Sequence, residues 1–290
     1  MNYFLHIVVL LNIYIVLILG ANITVGMAGL LTLCQAAFYG IGAYIGTMLL
    51  MQFDLPFIVV ALIVSIVTGI SSSLISYASL KLKKDYFTLA SLGFQMIIFT
   101  VLYNWVDVTK GPYGISGIPG IKLLGIWNIK GVVSYAIFTT IVMVAIVGIF
   151  IVLKKSPYGR LLRAIRSDET SVMALGCNVS AAKRRAFFLS AAFSGIAGLL
   201  YASYVRFIDP TSFTLNESLF IICALFIGGV GTAKGSIAGA LFVVILPEIL
   251  RLIGMPDAIA APLREIIYGL ALITVMFIRP QGVLGEKISK

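Results

Sequence analysis

From Tyr135 to Leu153 the chain runs nineteen residues without a charged side chain, and from Ala186 to Tyr204 it does so again. Coiled as helix, such runs reach across the ~30 Å hydrocarbon core of a bilayer. Hydropathy predicts nine spans, at approximately 5–22, 28–50, 57–80, 86–104, 134–153, 186–204, 218–231, 235–250 and 264–279. The glycine-rich pieces 23–31 and 218–239 are candidates for broken or re-entrant helix, so eight to ten spans are expected. The predicted fold is all-α: one polytopic transmembrane helical bundle over residues 1–290, with a short helical cytoplasmic segment at 154–185.

Composition agrees. Only 11% of the 290 residues are charged and 60% are hydrophobic, whereas a soluble domain carries about 25% charge. Leu5–Gly20 lacks the basic start and small-residue cleavage site of a signal peptide and is read as a retained first span. The net charge of +10 is read as the positive-inside bias of a membrane protein, with no nucleic-acid partner. Cys34, Cys177 and Cys223 lie far apart without metal-ligand spacing and are expected to be small hydrophobes.

If 81–85, 154–185, 231–235 and the tail from Arg279 share one side, that side holds fifteen of the 21 Lys and Arg residues. The basic side is the cytoplasmic one. The N-terminus is then expected outside and the C-terminus inside. On the outer side, Trp105–Gly131 is the longest loop, punctuated by glycine and proline. It predicts turns, serving as a connector or as part of a landing surface for an external partner.

Small residues recur at four-residue spacing: Gly42 and Gly46; Ala191 and Gly195 beside Ser194 and Gly198; Gly231, Gly235 and Gly239. The pattern predicts close helix packing. Two glycine clusters, Gly26 with Gly29 and Gly228 with Gly231, interrupt apolar runs in the two halves of the chain. Paired interruptions can mark a substrate path. Gln35 and Gln95, inside apolar runs, are read either as interhelical hydrogen-bonding residues or as path residues. Glu217, Glu248 and Glu265 are expected as wetted carboxylates at span ends, and Asp54, Asp107, Asp209 and Asp257 in loops. With no carboxylate placed at mid-membrane and only His6 as histidine, a proton- or sodium-driven carrier has little support.

The interval Lys154–Arg185 carries eight basic residues between two spans and suggests a docking handle for a cytosolic partner. Ser156 and Pro157 predict the start of a short helix reaching Arg166. Ser167 is expected to cap a second helix, with Asp168 and Glu169 in its first turn and a stop at Gly176. Val172 and Leu175 are expected on one face of it. A helix this short must lie against something, either its own membrane domain or a groove on a partner. There is no P-loop, HExxH or GxSxG motif and no triad histidine, so the chain is not read as an enzyme and implies no cofactor.

The run from Gly26 to Tyr44 closely resembles the early block of the LivM-type permeases of branched-chain amino acid ABC importers. Further matches are Gly111 to Pro119, Pro157 to Arg160 leading into Arg163 to Arg166, and Gly176 with Lys183. Ala186 to Ser190, Gly228 to Gly231 and Arg279 to Gly282 follow, so the resemblance spans nearly the whole chain. It departs at Cys34, where the family more often has a small residue or glycine, and at Thr32, where serine is usual. The resemblance implies a cell-membrane permease subunit paired with a LivH-like second permease, two cytosolic ABC ATPases and an extracytoplasmic substrate-binding protein. It also implies that Arg160–Gly176 is the segment contacting the ATPase, with Arg160, Arg163, Arg166, Asp168, Glu169 and Gly176 as coupling candidates. Gly26, Gly29, Gln35, Gln95, Gly228 and Gly231 are the candidates for the path. Urea, short amides or other amino acids are alternative cargoes to leucine, isoleucine and valine. A stand-alone secondary carrier or channel, or a membrane scaffold, remains as a reading from a different class.

Overall fold

The structure, a computed structural model, describes residues 2–53, 55–79, 84–123, 127–128, 131–252, 257–279 and 281–286. Asp54, Lys81, Lys83, Lys130, Lys287 and Lys290 lie outside the described residues. The longer helices are α1 (Asn2–Ala21), α2 (Gln35–Phe53), α3 (Phe57–Ser79) and α4 (Lys84–Asn104). After a four-residue α5 (Val106–Thr109) come α6 (Val132–Lys155), α7 (Pro157–Ser167), α8 (Glu169–Ala174) and α9 (Val179–Val205). The chain closes with α10 (Leu215–Gly228), α11 (Ala233–Leu252) and α12 (Asp257–Ile278). Helices lie at all nine expected spans, and seven among the described residues are long and apolar enough to cross a membrane.

Two spans differ from expectation in an informative way. The second was expected from residue 28, but α2 begins at Gln35. Ahead of it, α1 widens into a π-turn over Asn22–Met27 and residues 28–34 are irregular. The freed backbone is satisfied by neighbours: the Leu33 amide donates to Ser91 at 2.8 Å and the Leu31 carbonyl accepts from Thr88 at 3.1 Å. The seventh, α10, has 14 residues, about 21 Å of helix, too short to span. It begins at mid-depth, where the Phe213 carbonyl accepts from Gln95, halfway along α4. Residues 207–214 therefore dip into the bundle from one end, and α10 completes the crossing.

The centre is α9, packed mainly on α2 and α3. Backbones there approach so closely that side chains are excluded. A Cβ on Gly42 would meet the Gly195 carbonyl at 2.3 Å, and one on Gly198 would meet the Tyr39 carbonyl at 2.1 Å. This is the packing the four-residue spacing predicted, and it is what lipid-embedded helices need in the absence of a hydrophobic drive. The Phe213 ring fills the space beside it, edge-on to Tyr39, Tyr44 and Tyr201. On the periphery, Leu62, Ile66, Ile70 and Leu74 form an exposed apolar stripe along α3, the mark of a lipid-facing helix side. The loop after α4 forms turns and the two-residue strands Ile115–Ser116 (β1), Lys122–Leu123 (β2) and Trp127–Asn128 (β3); β2 pairs with β3, and β1 with Phe207–Ile208 (β4), which follows α9.

The packing predicts a contrast between two glycines. Gly198→Ala forces a backbone shift and should cost about 1–3 kcal/mol, read as a lower melting temperature of the purified protein. Gly148→Ala on α6, where a Cβ meets no atom within 4 Å, should be neutral or mildly stabilising, because alanine loses less entropy in a helix.

Candidate coupling and gating site

Lys154 and Lys155 end α6 where the helix dipole favours cations, and Ser156 begins α7 by accepting from the Gly159 amide at 3.1 Å. α8 is capped by Asp168, not by Ser167 as expected. Asp168 takes an extended backbone and accepts from the Thr170 amide at 2.9 Å and from the Thr170 and Ser171 hydroxyls. Ser167 instead remains in the last turn of α7 and donates to the Arg163 carbonyl. The Ser171 and Thr170 hydroxyls hold the exposed Asp168 carboxyl well below its ordinary range, at about 2. Gly176 takes φ +78° just past the helix end, the stop predicted for it.

The handle is fastened to the bundle at three places. Tyr158 donates to the Ala182 carbonyl at 2.7 Å. Lys183, almost fully buried, meets Glu169 at 2.6 Å. Lys154 and Arg163 meet Glu286 at 3.1 and 3.7 Å. Val172 is buried against the bundle whereas Leu175, at 82% exposure, projects outward with Met173. The shared face expected for Val172 and Leu175 is therefore not formed. α8 ends before Leu175, so helical spacing does not carry to it. Arg160 lies on the exposed side, donating to the Lys155 carbonyl at 3.2 Å.

Arg166 behaves differently from the other basic residues, because it points into the broken spans. Its Nη1 donates to the Gly26 carbonyl at 2.5 Å. Gly29, at φ +70°, lies so close that a Cβ there would meet Arg166 Cγ at 2.8 Å. Burial pulls the guanidinium pKa below its ordinary value, with Glu286 opposing. The second glycine turn meets the first through Asn22. Its Oδ1 accepts from the Gly231 amide at 2.8 Å, and its Nδ2 donates to the Thr232 carbonyl at 3.0 Å and Ser236 Oγ at 2.8 Å. The tail is stitched to the same turn, with the Leu284 amide donating to the Gly228 carbonyl and Glu286 to Val230. Gly26, Gly29, Gly228, Gly231 and Arg166 thus form one cluster. The handle, the start of α4, residues 228–236 and residues 281–286 all gather at this end of the bundle.

Gln35 and Gln95 stand apart, deeper in the bundle. Gln35 donates to Ser190 at 2.9 Å and accepts from Ser194 at 2.8 Å. Gln95 accepts from the Ala37 amide at 2.7 Å and donates to the Phe213 carbonyl at 2.9 Å. Both are fully buried, and both act here as interhelical hydrogen-bonding residues. One expectation is overturned: Glu217 is not at a span end. The shortness of α10 brings its first turn to mid-depth, where Glu217 accepts from Tyr14, halfway along α1, at 2.8 Å. A carboxylate thus lies deep in the bundle, and its expected absence no longer counts against a carrier. Asn22 and Glu286 were also missed. Only the position of Asn22, a polar residue just ahead of a glycine pair in an apolar run, hinted at its role.

Residues 3–276 match the family model described as branched-chain amino acid transport system / permease component. The chain is 33% identical to the high-affinity branched-chain amino acid transport system permease protein LivM of Salmonella typhimurium, over 94% of this chain and 68% of that protein. It is 26% identical to the probable LivM of Methanocaldococcus jannaschii, over 79% and 69% respectively. It is 23% identical to the permease protein LivH of Escherichia coli strain K12, over 94% and 91%. No solved structure gives a match. The bundle of apolar helices, its glycine-broken spans and these similarities agree: the chain is a multi-pass membrane protein that belongs to the permease-component family of branched-chain amino acid transport systems.

Proposed function

We propose that the chain is the permease subunit of an ATP-driven importer, carrying branched-chain amino acids through a path shared with a LivH-like second permease. Two cytosolic ATPases supply the work and an external binding protein delivers and selects the cargo. The observation that carries the reading is the Arg166–Gly26 hydrogen bond, which joins the handle directly to the break in the first span. The handle end faces the cytosol, because fifteen of 21 basic residues belong to the segments assigned to it. The N-terminus is then outside and the C-terminus inside.

In this mechanism α8 is the docking element. Its exposed Met173, with Leu175 just past its end, enters an apolar groove on the ATPase, and Glu169 transmits the push to α9 through Lys183. Closure of the ATPases moves α7, and Arg166 carries that displacement to the glycine turns at 26–29 and 228–231. Those turns shift together because Asn22, in the π-turn that leads into the first, is hydrogen-bonded to the second. The broken spans can rearrange at low cost, since their irregular backbone is hydrogen-bonded by side chains and not by a continuous helix.

Deleting 168–175 should reduce cargo-stimulated ATP hydrolysis in the reconstituted importer to its basal level while leaving membrane insertion intact; normal uptake by the deletion would refute the docking role. The cap makes a second prediction. A carboxylate held at about 2 stabilises α8 at every pH above its unfolded value of about 4, and that contribution is lost as pH falls through about 2. NMR titration of Asp168 should give that low midpoint, and Ser171→Ala should move it upward toward the ordinary carboxylate value. An Asp168 midpoint near 4 in the parent protein would contradict the cap.

A further inference from the structure

Where α9 leaves the handle, a cavity of about 570 Å³ opens on the flank of the bundle. It is lined by Ser73 of α3, Tyr158 of α7, and Arg184, Arg185, Phe188 and Leu189 of α9. Its inner wall is apolar and firmly placed: the Phe188 ring packs on Gly69, where a Cβ would lie 2.4 Å from it. Ser73 at its edge belongs to α3, whose Ile66, Ile70 and Leu74 are exposed. No residue of α8 lines it, so it is distinct from the proposed docking element.

Among the described residues the charges at its rim are uncompensated. At this end Glu169 is taken by Lys183, Glu286 by Lys154 and Arg163, and Asp168 by its cap. Among the described residues Arg184 and Arg185 have no ion pair or hydrogen bond. Two free guanidinium groups above an apolar wall, at the edge of a membrane span, match one ligand chemistry: a phosphate diester attached to an acyl chain. A soluble phosphate would leave the apolar wall unused.

We propose that this cavity binds an anionic phospholipid, with Arg184 and Arg185 on its phosphate and Phe188 and Leu189 against the top of an acyl chain. A lipid seated there bridges α3 and α9 beside the Tyr158–Ala182 contact that holds the start of α7.

The test is native mass spectrometry of the delipidated full-length chain, titrated with phosphatidylglycerol, phosphatidylcholine or glycerol 3-phosphate. The expected result is binding of phosphatidylglycerol about tenfold tighter than phosphatidylcholine, with that preference lost in Arg184→Gln/Arg185→Gln and kept in Arg184→Lys/Arg185→Lys. Ser73→Trp blocks the mouth while leaving both arginines in place, and it should weaken phosphatidylglycerol binding by a similar factor; it decides the matter if the glutamine variant does not fold. Equal binding of the two lipids, or no effect of either the glutamine variant or Ser73→Trp, overturns the proposal. Displacement by glycerol 3-phosphate at equal concentration would make the site one for free anions, and displacement by added ATPase subunits would make it a protein-docking surface. Either result also overturns it.

Discussion

A hydrogen bond from Arg166 to the Gly26 carbonyl joins the handle of this chain to the break in its first span. It requires a carbonyl that no helix uses, and the π-turn at the end of α1 supplies one. It also requires room for the stem of the arginine, and Gly29 supplies that by lacking a side chain. Without the break in the first span the arginine would have no acceptor there. Without the arginine the free carbonyl would lose its partner in a half-buried site, where an unmade hydrogen bond is costly.

The rest of the architecture can be read as two regimes around this joint. Where α2 and α9 cross, backbone lies on backbone, and interlocked surfaces of this kind move as a block. Around Asn22 and the 228–231 turn, hydrogen bonds from side chains replace helix, and the backbone can change course. Rigid helices packed beside irregular turns are what a gate needs: a lever that does not bend and a joint that does. Glu217 and Tyr14 meet halfway along α1, deeper in the bundle than this assembly. An ionisable group at that depth is costly to keep, which marks the contact between α1 and α10 as a place of functional interest.

Much of this was legible in the sequence, because much of it is local. Capping of α7 by Ser156, the proline that follows and the stop at Gly176 depend on neighbours a few residues away. Close packing was readable from glycine spacing for the same reason. The cap of α8 was misassigned by one residue: Ser167 and Asp168 are both good caps, and only the extended backbone at Asp168 decides between them. The irregular stretch at 28–34 is apolar and reads as span. The roles of Asn22, Glu217 and Glu286 depend on partners far away in the chain, which no local pattern reveals. The resemblance to a permease family was visible from ordered motifs, and the comparison with known proteins bears it out.

The central claim is that force enters at the handle and reaches the broken spans through Arg166. It is tested most directly by measuring uptake and ATP hydrolysis together in the reconstituted importer carrying Arg166→Gln. Docking through α8 is untouched by that change, so basal hydrolysis should persist while uptake per ATP falls about tenfold or more, as expected for losing a charge-assisted hydrogen bond. Unchanged uptake per ATP would contradict the account.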